Sequence, residues 1–334
     1  MYCKFFKLSE EPFNLRSDPK FLFLSPGYRQ KLAGLTYGIL NHKKFLVLTG
    51  DIGTGKTTLI SAVSQYVPSN RAQIAVISGQ TLSPSELSEM ILLNFGIMEI
   101  PASAAGRIRK LQEFCESGEQ NGRISTVIFD EAQKLSVEAL EEIRLIGNLN
   151  SLGIVLAGQS DLQDAFRQPE LEALRQRICL WLTLEPLQDG EVEQYVRYRW
   201  KKAGGISSAP FAEEALQTIA EHSGGVPRLI NSLCDNALMN AFEQQRLLVE
   251  HSDVMEAVKR LRLADSTEDA DLSPSYGEAA PSDYPIEFAA AMDSKPPGRE
   301  AGLASPLLAR FSRKLPGTDK LLDRLASARR FFTA

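Results

Sequence analysis

The stretch Gly50-Asp51-Ile52-Gly53-Thr54-Gly55-Lys56-Thr57-Thr58 carries residue types and a spacing, GxxxxGK[ST], that suit the binding of a phosphate chain. Glycines let the backbone curl until successive N–H groups point inward at phosphate oxygens. The helix that should follow adds the partial positive charge of its N-terminus. Lys56 is expected to reach the β- and γ-phosphates of ATP, and the Thr57 hydroxyl to be a ligand of Mg2+. Gly50, Asp51, Gly53, Thr54, Gly55 and Thr58 complete the expected nucleotide cradle. The context strengthens the motif, because a β-rich run, Phe45–Leu48, precedes it, and Leu59 and Val63 continue it at helical spacing.

A second candidate is Val127-Ile128-Phe129-Asp130-Glu131, an apolar strand ending in two adjacent carboxylates. Side chains alternate along a strand, so the two cannot share one task. Asp130 is expected to hold Mg2+ through its water shell, and Glu131 to orient and deprotonate an attacking water. Three further side chains are candidates. Gln159 follows the run Ile154–Ala157 and could contact the γ-phosphate or the water, the alternative being a plain turn amide. Arg177 precedes the last β-rich run and could reach the nucleotide of a neighbouring subunit; Arg175 is the fallback, and a surface cation the alternative. Arg228, after Ser223-Gly-Gly-Val-Pro227, could close on the phosphates from a second domain, the alternative again being a surface cation.

The elements that must position these residues follow from periodicity. Five β-rich runs, Phe45–Leu48, Ile74–Ser78, Thr126–Phe129, Ile154–Ala157 and Cys179–Leu184, alternate with helical patterns such as Leu87, Met90, Ile91, Phe95 and Leu140, Ile143, Ile146. That alternation predicts a parallel sheet covered on both faces. After Pro186 the pattern is helical only, with segments near 189–203, 209–222, 226–244 and 250–263. Residues 1–44 read as an aromatic-rich lead-in packed on the ATPase core, with Phe5, Phe6, Phe13, Phe21 and Phe23 serving packing or a cleft that also holds an adenine ring. Leu32, Leu35 and Ile39 mark one helix in it. The expected domains are therefore the lead-in 1–44, a core at 45–186, an α-helical lid at 187–264, a disordered acidic linker at 265–300 and a basic amphipathic tail at 301–334.

Composition limits the alternatives. The chain has 334 residues, 43% hydrophobic and 24% charged, with a net charge of −5, which argues against coating nucleic acid by bulk charge. A local basic cluster, Lys4, Lys7, Arg16, Lys20, Arg29, Lys31, Lys43 and Lys44, keeps DNA as a candidate partner. The four cysteines form no CxxC pair, so reduced thiols in the cytoplasm are expected rather than a disulfide framework or a zinc site. No signal-peptide pattern and no transmembrane run occurs in the sequence. In the tail, Leu321, Leu325, Ala328 and Phe332 fall on one helical stripe flanked by Lys320, Arg324, Arg329 and Arg330. Such a stripe suits docking on a partner protein, on an anionic membrane surface as a peripheral contact, or on the chain's own body.

Together these residues resemble the AAA+ ATPases of the general secretion pathway A type, within the group related to origin-recognition ATPases. The likeness lies in Tyr2, Phe5-Phe6, Leu8, Glu11-Pro12-Phe13, Asp18-Pro19 and Phe21–Ser25, and in Asp130-Glu-Ala-Gln133, Leu156-Ala-Gly-Gln159 and Gly224-Gly-Val-Pro-Arg228. It covers roughly residues 1–263. It implies an α/β P-loop NTPase fold of AAA+ type, with a parallel sheet core and a small all-α lid; the composition beyond it adds a disordered, partly helical tail. It also implies a Walker A at Gly50–Thr58, a Walker B at Val127–Glu131, a sensor-1 role for Gln159, an arginine finger at Arg177 and a sensor-2 role for Arg228. Assembly into a homo-oligomeric ring or filament is implied as well. Two departures stand out. The family's lead-in usually carries a His where this chain has Tyr28, and secretion-type members continue into a membrane helix and a periplasmic cell-wall-binding region that these residues do not contain.

Three readings follow. The first is a cytoplasmic ATPase, using ATP and Mg2+, that remodels or assembles a partner complex. The second is an ATP-dependent DNA-binding regulator like the transposition-regulating ATPases. The third, a switch that binds ATP without turnover, is opposed by the intact Glu131.

Overall fold

The computed structural model describes residues 2–261 apart from 17, 79–81, 189 and 207. In chain order the elements are α1 (Tyr2–Phe5), α2 (Pro26–Leu40), β1 (Phe45–Gly50), α3 (Lys56–Tyr66), β2 (Ala72–Ser78), α4 (Pro84–Asn94), α5 (Ala104–Gln120), β3 (Ile124–Asp130), α6 (Val137–Ile146), β4 (Leu152–Gly158), α7 (Asp161–Ala165), α8 (Glu172–Arg175), β5 (Ile178–Leu184), α9 (Glu191–Lys202), α10 (Glu213–Ser223), α11 (Pro227–Glu243) and α12 (His251–Arg260). The expected linker at 265–300, the tail at 301–334 and its stripe of Leu321, Leu325, Ala328 and Phe332 lie outside the described residues. Among those described, no helix is long and apolar enough to cross a membrane.

These elements form two compact units. One takes Arg29–Thr49 and Ile60–Thr183; the other takes Met1–Tyr28, Gly50–Leu59 and the described residues from Leu184 onward. The first unit is built on a five-stranded sheet in the order β2-β3-β4-β1-β5. The pairs β2–β3, β3–β4 and β4–β1 are parallel, with Asp130 opposite Ala157 and Thr49 opposite Gly158. Strand residues alternate between faces, and both faces are apolar. Phe45, Val47, Val127, Phe129, Ile154 and Leu156 share one core with Leu87, Ile91, Leu111, Leu140 and Ile143 of the helices. The intervening Leu46, Leu48, Ile128 and Val155 are equally buried. Helix starts here are set by serines: Ser103 accepts the Gly106 N–H, Ser136 accepts the Ala139 N–H, and Ser83 forms a capping box with Glu86. Each such cap contributes about 1 kcal/mol.

The second unit has its core among α9–α12, where Val196, Trp200, Ile219, Leu233, Leu238 and Val258 are buried. Gly224 ends α10 in the left-handed region, and Pro227 opens α11 at its first turn. Between them Gly225 has φ 74° and lies so close to Leu187 that a Cβ would stand 2.0 Å from its carbonyl oxygen. Only glycine fits there. The run Ser223–Pro227 thus reverses the chain within a few residues and sets Arg228 on the first turn of α11.

One sequence expectation is revised. The aromatic lead-in was expected on the ATPase core, but Tyr2, Phe6, Phe13 and Phe21 are buried in the core of the C-terminal helices. A buried guanidinium fixes the connection. Arg199 of α9 donates to the carbonyls of Pro12 (2.6 Å) and Asn14 (3.1 Å) and to the Tyr195 hydroxyl (2.9 Å), and it stacks over the Phe21 ring. Their size and apolarity mark these aromatics as buried but cannot say which surface they bury against.

Candidate nucleotide site

β1 runs directly into the loop 51–55, and α3 starts at Lys56. The Lys56 side chain, only 6% exposed, folds back into that loop, its ammonium donating to the carbonyls of Gly50 (2.7 Å) and Asp51 (2.9 Å). The Thr54 hydroxyl donates to the same Asp51 carbonyl at 2.9 Å. Thr57 is exposed and Thr58 half-buried on the first turn of α3. Gly53 has φ 84°, and a Cβ there would come within 2.7 Å of the Arg228 Cβ. The Arg228 backbone N–H donates to the Gly53 carbonyl at 3.2 Å, so the first turn of α11 is joined to the glycine loop. The Arg228 side chain itself is exposed.

A contact that the sequence does not announce lies beside this loop. The buried Tyr28 hydroxyl donates to the Gly55 carbonyl at 2.8 Å, and burial holds its pKa well above the ordinary phenol value. Its departure from the family's His was the one available signal.

Asp130 ends β3, is 6% exposed, and accepts the Glu131 N–H at 3.0 Å. Glu131 sits in the left-handed region at φ 62°, ψ 37°, which turns the chain sharply off the strand. Its carboxylate accepts from the Gln133 amide at 2.9 Å and lies 3.6 Å from the Lys134 ammonium. The Gln133 side chain also accepts the Gln159 N–H at 3.2 Å. Gln159 is the residue after β4, half-buried. Arg177 immediately precedes β5 and is tied within the chain, donating to Asn148 Oδ1 (2.5 Å) and to the Arg144 carbonyl (3.3 Å); Arg175 is exposed.

The residues present suit a phosphate chain and Mg2+. A helix N-terminus carrying a buried ammonium is an anion site. Thr57, beside the loop, offers a hard oxygen donor. Among the described residues, no group of three or more His, Cys, Asp or Glu could hold a metal alone.

Residues 39–166 match a family model described as an AAA domain. General secretion pathway protein A of Aeromonas hydrophila is 38% identical over 263 residues, 76% of this chain and 47% of that protein. The ATP-dependent target DNA activator B of Escherichia phage Mu is 27% identical over 200 residues, 58% of this chain and 59% of that protein. The chain therefore spans about half the length of the curated relatives it matches. The Aeropyrum pernix ORC2 protein, solved in ADPNP–ADP complexes, is similar in fold, with a TM-score of 0.58 at 18% identity over 75% of this chain and 71% of that one. Residues 39–166 thus match the AAA domain family, and over most of its length the chain is similar to general secretion pathway protein A.

Proposed function

We propose that this chain binds ATP with Mg2+, hydrolyses it, and uses the cycle to assemble or remodel a partner complex of secretion or envelope type. The observation that carries the reading is the Lys56 ammonium held on the Gly50 and Asp51 carbonyls at the head of α3. There it can exchange loop carbonyls for phosphate oxygens. In this reading residues 45–186 are the ATPase core and 187–264 its lid, and Gly50–Thr58 with Arg228 take the nucleotide. Mg2+, when bound, neutralises developing phosphate charge. Thr57 and Asp130 would hold it. Glu131 orients the attacking water and takes its proton as the oxygen bonds to the γ-phosphorus and ADP departs. Gln159 contacts the γ-phosphate or that water. Arg177 serves the nucleotide of the next protomer in a homo-oligomer.

The test compares two variants. Lys56→Ala should lose nucleotide binding, because Lys56 acts on the ground state. Glu131→Gln should bind ATP and fail to turn it over, because Glu131 acts only as the reaction proceeds. Equal turnover in wild type and Glu131→Gln would refute the assignment.

The similarity to a target DNA activator favours a second reading, an ATP-dependent DNA-binding regulator. ATP-dependent retention of duplex DNA that weakens steeply with salt supports it; no retention at low salt rejects it.

A further inference from the structure

We propose that Gln133 is a positioning residue for hydrolysis, its carboxamide tying the Glu131 carboxylate to the end of β4. The inference rests on the reading of Glu131 as the group that activates water.

The β3–β4 ladder stops at Asp130 opposite Ala157, so Glu131 and Gln159 lie beyond the last backbone pair. The left-handed turn at Glu131 throws the chain into the short 3-10 turn Ala132–Lys134, which brings the Gln133 side chain back over that edge. There the amide Nε2 donates to Glu131 Oε2 at 2.9 Å, and Oε1 accepts the Gln159 N–H at 3.2 Å. The two contacts fix which way the amide faces. A carboxylate only accepts and a backbone N–H only donates, so the flipped amide would lose both. Gly158 leaves just enough room, since a Cβ there would stand 2.8 Å from Gln133 Oε1.

A neutral donor suits this task. It holds the carboxylate in one orientation without contributing a cation that would blunt it as a proton acceptor. Lys134, at 3.6 Å and half exposed, is the looser of the two contacts. Because the other end of the amide reads the backbone of Gln159, a displacement of the β4 terminus moves the catalytic carboxylate with it. Gln133 thereby couples the position of Gln159 to the readiness of Glu131.

The experiment uses the full chain with Gln133→Leu, Gln133→Glu and, as control, Glu131→Gln, measuring ATP turnover, KM, affinity for a fluorescent ATP analogue and the melting temperature. Gln133→Glu is isosteric and keeps the acceptor for Gln159, but sets a carboxylate oxygen against Glu131. Both Gln133 variants should lose about 10–100-fold in kcat, the scale of a misplaced catalytic group, with KM and nucleotide affinity within about twofold of wild type. Wild-type turnover in either variant overturns the inference. So does an equal fall in affinity and kcat, which marks a structural role. Should Gln133→Leu fail to fold, Gln133→Glu decides alone. Wild-type turnover in Glu131→Gln overturns the reading of Glu131 itself, and this inference with it.

Discussion

The Tyr28 hydroxyl and the Leu59 N–H both donate to one acceptor, the Gly55 carbonyl, at 2.8 and 2.9 Å. A trans peptide is planar, with its C=O and N–H pointing opposite ways. Fixing the Gly55 carbonyl therefore fixes the Lys56 N–H, which faces away from the helix toward the loop. Tyr28→Phe removes one of the two restraints, a loss of about 1 kcal/mol. ATP affinity should fall about fivefold with little change in kcat at saturation, and Tyr28→His, the family residue, should recover part of it. Titration of a fluorescent nucleotide measures the effect. An unchanged dissociation constant in Tyr28→Phe would remove Tyr28 from the site.

Gly53→Ala should be costly for two reasons. Its φ of 84° disfavours any side chain, and the new Cβ would meet Arg228 at 2.7 Å. The neighbour is a Cβ on a helix turn, which cannot swing aside. We expect a destabilisation of about 1–3 kcal/mol and weaker nucleotide binding together. Denaturant melts that match wild type would show that the loop yields more easily than this packing implies.

Arg177 is expected to act in trans, yet here it binds Asn148 within its own chain. Arg177→Ala removes both roles, whereas Asn148→Ala removes the shorter internal contact, leaving the Arg144 carbonyl contact and the guanidinium in place. Specific ATPase activity should rise with protein concentration in wild type and in Asn148→Ala, and lose that dependence in Arg177→Ala. Fingers of this kind contribute about 10³–10⁵ in rate. Full activity in dilute monomer contradicts the trans role.

Tyr2 donates a short hydrogen bond to Asp235, fastening α1 to α11. Burial raises the Asp235 pKa, and the Tyr2 bond partly lowers it again. A carboxylate raised on folding contributes most below its unfolded pKa, and that contribution is lost as pH rises through the folded value. Tyr2→Phe raises the folded pKa further, so its cost should be largest at neutral pH, about 1–3 kcal/mol. The cost should shrink as pH falls toward the ordinary carboxylate range. A cost independent of pH would mean that Asp235 carries no charge in the fold.

What the sequence alone determines is local. The run from Phe45 through Gly55 to Tyr66 reads as strand, glycine loop and helix because each signal spans a few neighbouring residues. Gly224 and Pro227 mark a helix end and a helix start for the same reason. A helical unit after Pro186 is likewise legible, from apolar spacing near 3.6. Long-range pairing is not written locally. Nothing in the five strand patterns orders them β2-β3-β4-β1-β5, since every inner strand is apolar on both faces and could pair with any other. Tyr28 reaches Gly55 across 27 positions and Gln133 reaches Gln159 across 26, each through one side-chain hydrogen bond that composition cannot foretell. The aromatic lead-in shows the limit most plainly. Tyr2, Phe6, Phe13 and Phe21 must leave water, because burying large apolar area is the main favourable term in folding. That term has no direction, and only the assembled helices α9–α12, with Arg199 holding the carbonyls of Pro12 and Asn14, decide where those rings go.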